Sequence, residues 1–226
     1  MPYISSANIA CGFHAGDEKI IEQTIDLALK NNVAIGAHPS FFDRENFGRT
    51  EMELPLDQIY DLVILQLRTI DGLAKKHDTK LHHVKPHGAL YNMSAKNPEI
   101  AATIARAVKD FDEHLVLFGL SGSHSIDEAA RIGLKMASEV FADRTYQDDG
   151  SLTSRTHPDA LIGDIYLMVS QLLQMINEKN VTSLNQKRIP VIADTICIHG
   201  DGPHAIDFAR QIYQQLKQNH IDIKAI

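Results

Sequence analysis

Short apolar runs alternate with longer amphipathic segments along the whole chain. The first run, Tyr3 to Ala10, closes on Cys11-Gly12. From about Asp17, Ile21, Ile25 and Ala28 recur at helical spacing, with Asp17 and Glu18 in the first turn, where acids suit the helix dipole. A second run, Val33 to Ala37, ends at His38-Pro39, and a polar loop from Phe41 to Glu53 contains Gly48. Pro55 opens a long helix striped by Ile59, Val63, Leu67, Ile70 and Leu73 and ending near His77. The third run, Leu81 to Lys85, is stopped by Pro86, and Asn97-Pro98 read as the N-cap and first position of a helix carrying Ile100, Ile104 and Val108. Leu115 to Leu120 is the fourth run, followed by Ser121-Gly122-Ser123 and a short helix to about Arg131. The fifth is Leu134 to Phe141, then a polar loop from Asp143 to Asp159 and a helix over about Leu161 to Asn177. The sixth, Ile189 to Ile198, ends in His199-Gly200-Asp201-Gly202, and Pro203 opens a last helix with Ile206, Phe208, Ala209, Ile212 and Leu216.

Strict alternation without a hairpin signal predicts an α/β fold whose sheet is parallel and covered by helices. A barrel and an open doubly wound sheet both fit. The barrel is favoured because polar residues follow nearly every strand, whereas an open sheet concentrates them at one crevice. No Pro/Gly/Ser linker interrupts the 226 residues, so they read as a single domain spanning 1–226.

Composition narrows the function. Apolar residues make up 44% and charged residues 23%, ordinary for a folded chain of this size. A net charge of −7 and the absence of tryptophan argue against non-specific nucleic-acid binding and base stacking. Neither a membrane-length apolar run nor a signal-peptide pattern is present, and the two cysteines, Cys11 and Cys197, are far apart; a reducing cytoplasm is the expected location.

Ligands of parallel α/β folds sit at the C-terminal ends of the strands. That rule selects His14 and Asp17 after the first run, His38 and Asp43 after the second, and His83, Lys85, His87 and Tyr91 after the third. It adds Ser121 and Ser123 after the fourth, Glu139, Asp143 and Arg144 after the fifth, and Asp194, His199 and Asp201 after the sixth. These are acid/base candidates and two cations converging on one face. Lys85 before a glycine turn suits an oxyanion or phosphate; a buried lysine paired with Glu139 or Asp194 is the plainer alternative. Asp194, inside an apolar run, is expected to be buried, and hence paired or protonated. His199-Gly200-Asp201 leads into a helix N-terminus, a natural anion site, where Asp201 could equally be a cap. His82 and His83 point to opposite faces, so one is structural. His14, His38 and His87 could also be metal ligands, although their spacing is not local. No P-loop, dinucleotide fingerprint or nucleophile elbow occurs.

These segments together resemble the LamB/YcsF family. The stretches that carry the resemblance are Ser5-Ser6-Ala7-Asn8-Ile9-Ala10-Cys11-Gly12-Phe13-His14-Ala15-Gly16-Asp17, Ile35-Gly36-Ala37-His38-Pro39 and His83-Val84-Lys85-Pro86-His87-Gly88-Ala89-Leu90-Tyr91. Ser138-Glu139-Val140-Phe141-Ala142-Asp143-Arg144 with Asp149-Gly150 and Ala193-Asp194-Thr195-Ile196-Cys197-Ile198-His199-Gly200-Asp201 complete them. The resemblance implies a seven-stranded β/α barrel akin to the sugar deacetylases. It also implies ATP-dependent opening of 5-oxoproline to glutamate through a phosphorylated intermediate, with two partner subunits, B and C. On chemical grounds Lys85, Glu139, Asp194 and His87 are the expected catalytic set, with Asp194 or Glu139 activating water. Lys85 and Arg144 would hold phosphate or the substrate carboxylate. His14, Asp17, His38, Tyr91, His199 and Asp201 would line the substrate, and a divalent metal would fall to His14, His38 and His87.

The family opens with a strand bearing Asn-Cys-Asp ahead of a Pro-Tyr-Ile segment. This chain starts at Met1-Pro2-Tyr3, so the expectation is a barrel lacking that first strand and a site lacking one carboxylate. Ser40, Phe42 and Asp159 stand where the family favours Gly, Pro and Gly. Two further functions compete: a metal-dependent amide or deacetylase-type hydrolase working alone, and a non-catalytic ligand-binding subunit. Homo-oligomerisation is compatible with each.

Overall fold

A computed structural model describes residues 1–200, 202 and 205–226. Its strands are β1 (Ser6–Ala10), β2 (Ala34–His38), β3 (His83–Val84), β4 (Val116–Leu120), β5 (Met136–Phe141), β6 (Asn180–Thr182), β7 (Arg188–Pro190) and β8 (Thr195–Cys197). Its helices are α1 (Glu18–Lys30), α2 (Leu56–Lys76), α3 (Gly88–Lys96), α4 (Pro98–Phe111), α5 (His124–Arg131), α6 (Ile165–Asn177) and α7 (Ala205–Gln218). The main sheet has the order β1-β2-β3-β4-β5-β8, and the pairs β1–β2, β2–β3, β3–β4 and β5–β8 are parallel. Parallel neighbours joined through helices are the architecture of the β/α-barrel class expected from the alternation. The chain divides into two compact units. The first is essentially Met1–Gly119 with His124–Ala137; the second is Leu120–Ser123 with Ser138–Lys224.

In the first unit the sequence pattern and the packing agree closely. β4 reads Val-Leu-Phe-Gly-Leu and is buried throughout, as a strand with neighbours on both sides should be. β1, at the end of the strand order, buries only Ile9. α2 turns Ile59, Val63, Leu67, Ile70 and Leu73 inward, and each such side chain contributes roughly 1.5–3 kcal/mol through removal from water. Gln66 lies on the same buried face and is tolerated because it is fully paired: Ser40 N donates to its Oε1 at 3.0 Å and its Nε2 donates to Ser40 O at 2.7 Å. Asp17 caps α1 by accepting from Ile20 N, and Asn97 caps α4 by accepting from Glu99 N and Ile100 N, with Pro98 in the first turn. Helix α3 lies where the periodicity gave no signal. It buries Ala89, Leu90, Tyr91 and Ser94.

The second unit departs further from expectation. The helix expected from Leu161 starts at Ile165, because Asp164 accepts from Tyr166 N and Leu167 N and sets the cap there. Leu161 instead bridges to Arg144. Alternation is interrupted by an antiparallel hairpin, β6 with β7, in register Val181 with Ile189. The apolar run Ile189 to Ile198 is therefore not one strand: its start belongs to β7 and only Thr195–Cys197 joins the parallel sheet. Pro190 ends the first piece, since a proline cannot donate to a ladder. One apolar cluster of the second unit gathers Ala142, Leu172, Ile212 and Leu216, joined by Ile176, Ile196 and Ile198.

Candidate active site

Three histidines expected to bind ligand meet in the first unit. His14 comes from the turn after β1, His38 ends β2, and His87 precedes α3. His14 and His87 stack face to face, with centroids 4.1 Å apart and planes 8° apart. His38 meets both edge-on. His14 and His87 are both buried. The turn holding His14 is fastened by Arg44, whose guanidinium donates to Gly12 O at 2.8 Å and to Gly16 O. The opposite wall is the loop of residues 43–50, folded around Asp43, which accepts from Asn46 N, Asn46 Nδ2 and Thr50 N at 3.2, 2.9 and 3.2 Å. That loop presents the Phe47 carbonyl to His87. It also brings Gly48 O within 2.9 Å of Ala89 N. Gly48 and Gly88 both have positive φ, and a Cβ on Gly88 would strike the Gly48 carbonyl, so this close passage of two backbones requires glycine at 88.

Hydrogen bonds fix how these rings can be protonated. His38 Nδ1 lies 2.5 Å from Lys85 O and His87 Nε2 lies 2.8 Å from Phe47 O; a carbonyl can only accept. His38 Nε2 and His87 Nδ1 face each other at 2.9 Å. Three contacts thus call for three protons, and two neutral imidazoles carry two. A third proton would complete the chain and place one positive charge on the pair. Burial opposes that charge, and so do the neighbouring charges of His87 and Lys85, which hold His38 well below its ordinary value. His14 is pushed down to about 3, by burial first and then by His87, Arg44 and Arg49. Its Nδ1 is buried with no hydrogen-bond partner among the described residues. The nitrogens of His38 and His87 point at carbonyls and at one another rather than at a common centre. Among the described residues no group of three His, Cys, Asp or Glu side chains forms a metal site.

Lys85, buried at 5% exposure, follows β3; its backbone N donates to Ala37 O and its Nζ lies 5.6 Å from the centre of the Tyr91 ring. Tyr91 is likewise buried, on α3. Asp17, by contrast, is exposed and acts as the α1 cap. His83 is the structural member of its pair: it is fully buried, stacks on Phe118 at 4.3 Å, and its Nε2 lies 2.9 Å from Asn8 Oδ1. Burial, then His82 and Lys85, push it down to about 3. A methyl group on Gly36 would overlap the His83 ring, so the glycine of β2 is the space that ring occupies. Cys11, at the end of β1, is buried; its thiol donates to Ile9 O and burial pushes it up to about 12, against a hydrogen bond with the His38 backbone.

The second unit carries the other candidates. Glu139 is buried within β5 at 1% exposure. Arg144 is buried too, but two of its donors hold backbone: Nε reaches Ala160 O at 3.2 Å and a terminal nitrogen reaches Thr153 O at 2.5 Å. Burial and Arg155 lower it to about 10. Asp194 corrects the expectation of burial: it is exposed. It lies ahead of β8, on the side opposite the strand's C-terminal end. It clasps Ser138, its carboxylate accepting from Ser138 N at 2.9 Å and its backbone N donating to Ser138 O. The apolar texture predicts one continuous strand, but β7 ends at Pro190 and β8 begins at Thr195, which leaves Asp194 in the break between them. His199, beyond the C-terminal end of β8, lies with Nδ1 2.7 Å from Asp143 Oδ2, and its ring stacks against Phe141. Asp201 lies outside the described residues.

The sequence assigns no role to four contributors: Phe47 and Gly48, whose carbonyls brace His87 and α3; Gln171, whose Nε2 donates to the carbonyls of Phe141, Ala142 and Arg144; and Asp143, which it recognises only as standing at a strand end. The position of Asp143, two residues past β5 and beside the neighbouring strand that leads to His199, was the available signal.

Buried histidine and lysine side chains just beyond the strand ends of a parallel β/α architecture are the arrangement of a candidate ligand-binding or catalytic site. The chain belongs to the LamB/YcsF family, whose model matches residues 1–226. It is 51% identical to the 5-oxoprolinase A subunit of Staphylococcus aureus and 52% identical to that of Staphylococcus epidermidis, in each case over 226 residues, all of this chain and 90% of the relative. The crystal structure of a lactam utilization protein from Thermus thermophilus superposes with a TM-score of 0.92 at 40% identity, covering all of this chain and 90% of that one. No helix among the described residues is long and apolar enough to cross a membrane.

Proposed function

We propose that this chain is the A subunit of an ATP-dependent 5-oxoprolinase, which hydrolyses 5-oxo-L-proline to L-glutamate in the cytoplasm together with subunits B and C. The observation that carries this reading is identity of 51% and 52%, over all of this chain and 90% of each relative, to proteins bearing that subunit name. Opening an unstrained lactam is uphill, and ATP hydrolysis supplies the drive through a phosphorylated intermediate. In this reading Lys85 faces the anionic part of the substrate or its phosphate. His87 orients the reacting group, with His14 and His38 packed against it. The stand-alone metal hydrolase has less support, because the ring nitrogens of His38 and His87 are engaged with backbone carbonyls and with each other.

The test is reconstitution. The chain is mixed with both partner subunits, 5-oxoproline and ATP, and glutamate and phosphate are measured. Turnover in the three-subunit mixture, absent when any one component is left out, is the expected result. No glutamate in the full mixture overturns the reading. Lys85→Ala in the same assay should abolish turnover while far-UV circular dichroism stays native; undiminished turnover removes Lys85 from the mechanism.

A further inference from the structure

We infer that His199 and Asp143 form the water-activating dyad of the reaction, a role that the sequence had given to Asp194 or Glu139. The inference rests on the 5-oxoprolinase reading above. β5 and β8 are adjacent parallel strands, in register Phe141 with Cys197. Two residues past each of those partners stand Asp143 and His199, so the pairing itself delivers the carboxylate and the imidazole to the same C-terminal edge, where substrates of parallel α/β folds bind.

The geometry between them is that of an oriented base. A carboxylate can only accept, so the 2.7 Å contact makes Nδ1 the protonated nitrogen of neutral His199 and leaves a lone pair on Nε2. The ring is held on a second side by Phe141, at 5.8 Å and 26°. His199 remains 24% exposed and Asp143 17%, so the imidazole is reachable while its partner is largely shielded. The other oxygen of Asp143, Oδ1, is buried and accepts no hydrogen bond among the described residues. Such an oxygen is costly and calls for a reason; stabilising an imidazolium formed on His199 supplies one. Gln171 fixes the supporting backbone by donating to the carbonyls on either side of Asp143. Asp194, at the other end of β8 and bound to the Ser138 backbone, has neither the position nor the histidine.

In the step assigned to the dyad, an O–H bond of water breaks and the water oxygen bonds the ring carbonyl carbon of the O-phosphorylated lactam. The carbon–nitrogen π pair withdraws onto the ring nitrogen. The water proton passes to Nε2 of His199, is held there against Asp143, and is then delivered to that nitrogen. No oxidant, reductant or further reactant is needed.

The assembled complex tests this with His199→Gly, His199→Gln and Asp143→Asn, each checked for native circular dichroism and for assembly with the partners. Loss of a positioned base lowers kcat by about 10²–10⁴-fold. Both His199 variants should show that loss with KM little changed, and Asp143→Asn should fall in the same direction. Added imidazole should restore turnover to His199→Gly but not to His199→Gln, whose side chain fills the space. The restored rate should rise with the basicity of substituted imidazoles, which a packing role would not produce. Loss confined to KM, or no rescue of a folded and assembled His199→Gly, overturns the dyad while wild-type turnover leaves the 5-oxoprolinase reading standing. A wild-type complex that releases no glutamate overturns both.

Discussion

Imidazole rings kept neutral by burial make this fold sensitive to acid. His14 and His83 are each pushed down to about 3, against 6.5 for an exposed ring. Above pH 6.5 the folded and unfolded chains hold these rings in the same neutral form, and their contribution to stability is complete. Between 6.5 and about 3 the unfolded chain takes up protons that the folded chain refuses, so stability falls as pH falls, by roughly 1.4 kcal/mol per pH unit per histidine at full slope. Urea midpoints compared at about pH 7.5 and pH 5.5 should show the loss; equal midpoints would mean that the rings are charged in the fold. Gly36→Ala should destabilise by about 1–3 kcal/mol in the same denaturation assay, since the new methyl overlaps a ring packed between Phe118 and Asn8. The meeting of His14, His38 and His87 was legible beforehand, because strand-end position selects all three. What could not be read was which atoms each group spends on backbone. Asp17 is a cap and Arg144 a brace for reasons that lie in the carbonyls and amides beside them.

Elements with a strong stripe or a cap signal were legible to within a residue or two, as α2 and α4 illustrate. Those without were not. α3 begins on a glycine and is only 9 residues long, with Tyr91 and Ser94 among its buried positions, so no apolar stripe announces it. The β6–β7 hairpin merged in the sequence with the strand that follows, because Pro190-Val191-Ile192-Ala193 keeps the apolar texture running across a true break. Gln171 shows how one helix disciplines a strand end: a single amide on α6 serves three carbonyls at and just after the end of β5. Gln171→Leu keeps the volume and removes the donor. It should cost about 1–3 kcal/mol in urea unfolding, and it should lower kcat of the assembled complex by loosening the segment that bears Asp143. Unaltered kcat would show that Asp143 is held by other contacts.

At the scale of the whole chain, alternation alone was enough to give the parallel β/α class, since a chain returns to pair in parallel through a long crossover that is usually a helix. It could not give the hairpin or the two-unit division, which depend on contacts far apart in sequence. Loss of turnover on omission of either partner belongs to this scale as well.

Cys11 offers a way to watch the turn that carries His14. A thiol reacts through its anion, and one sealed in apolar surroundings at the end of β1 alkylates slowly while the native packing persists. Iodoacetamide incorporation at this position, followed by mass spectrometry, therefore becomes a clock for how often that corner of the protein opens. A compound that settles over the turn should slow the clock, reporting occupancy even under conditions where no product is made.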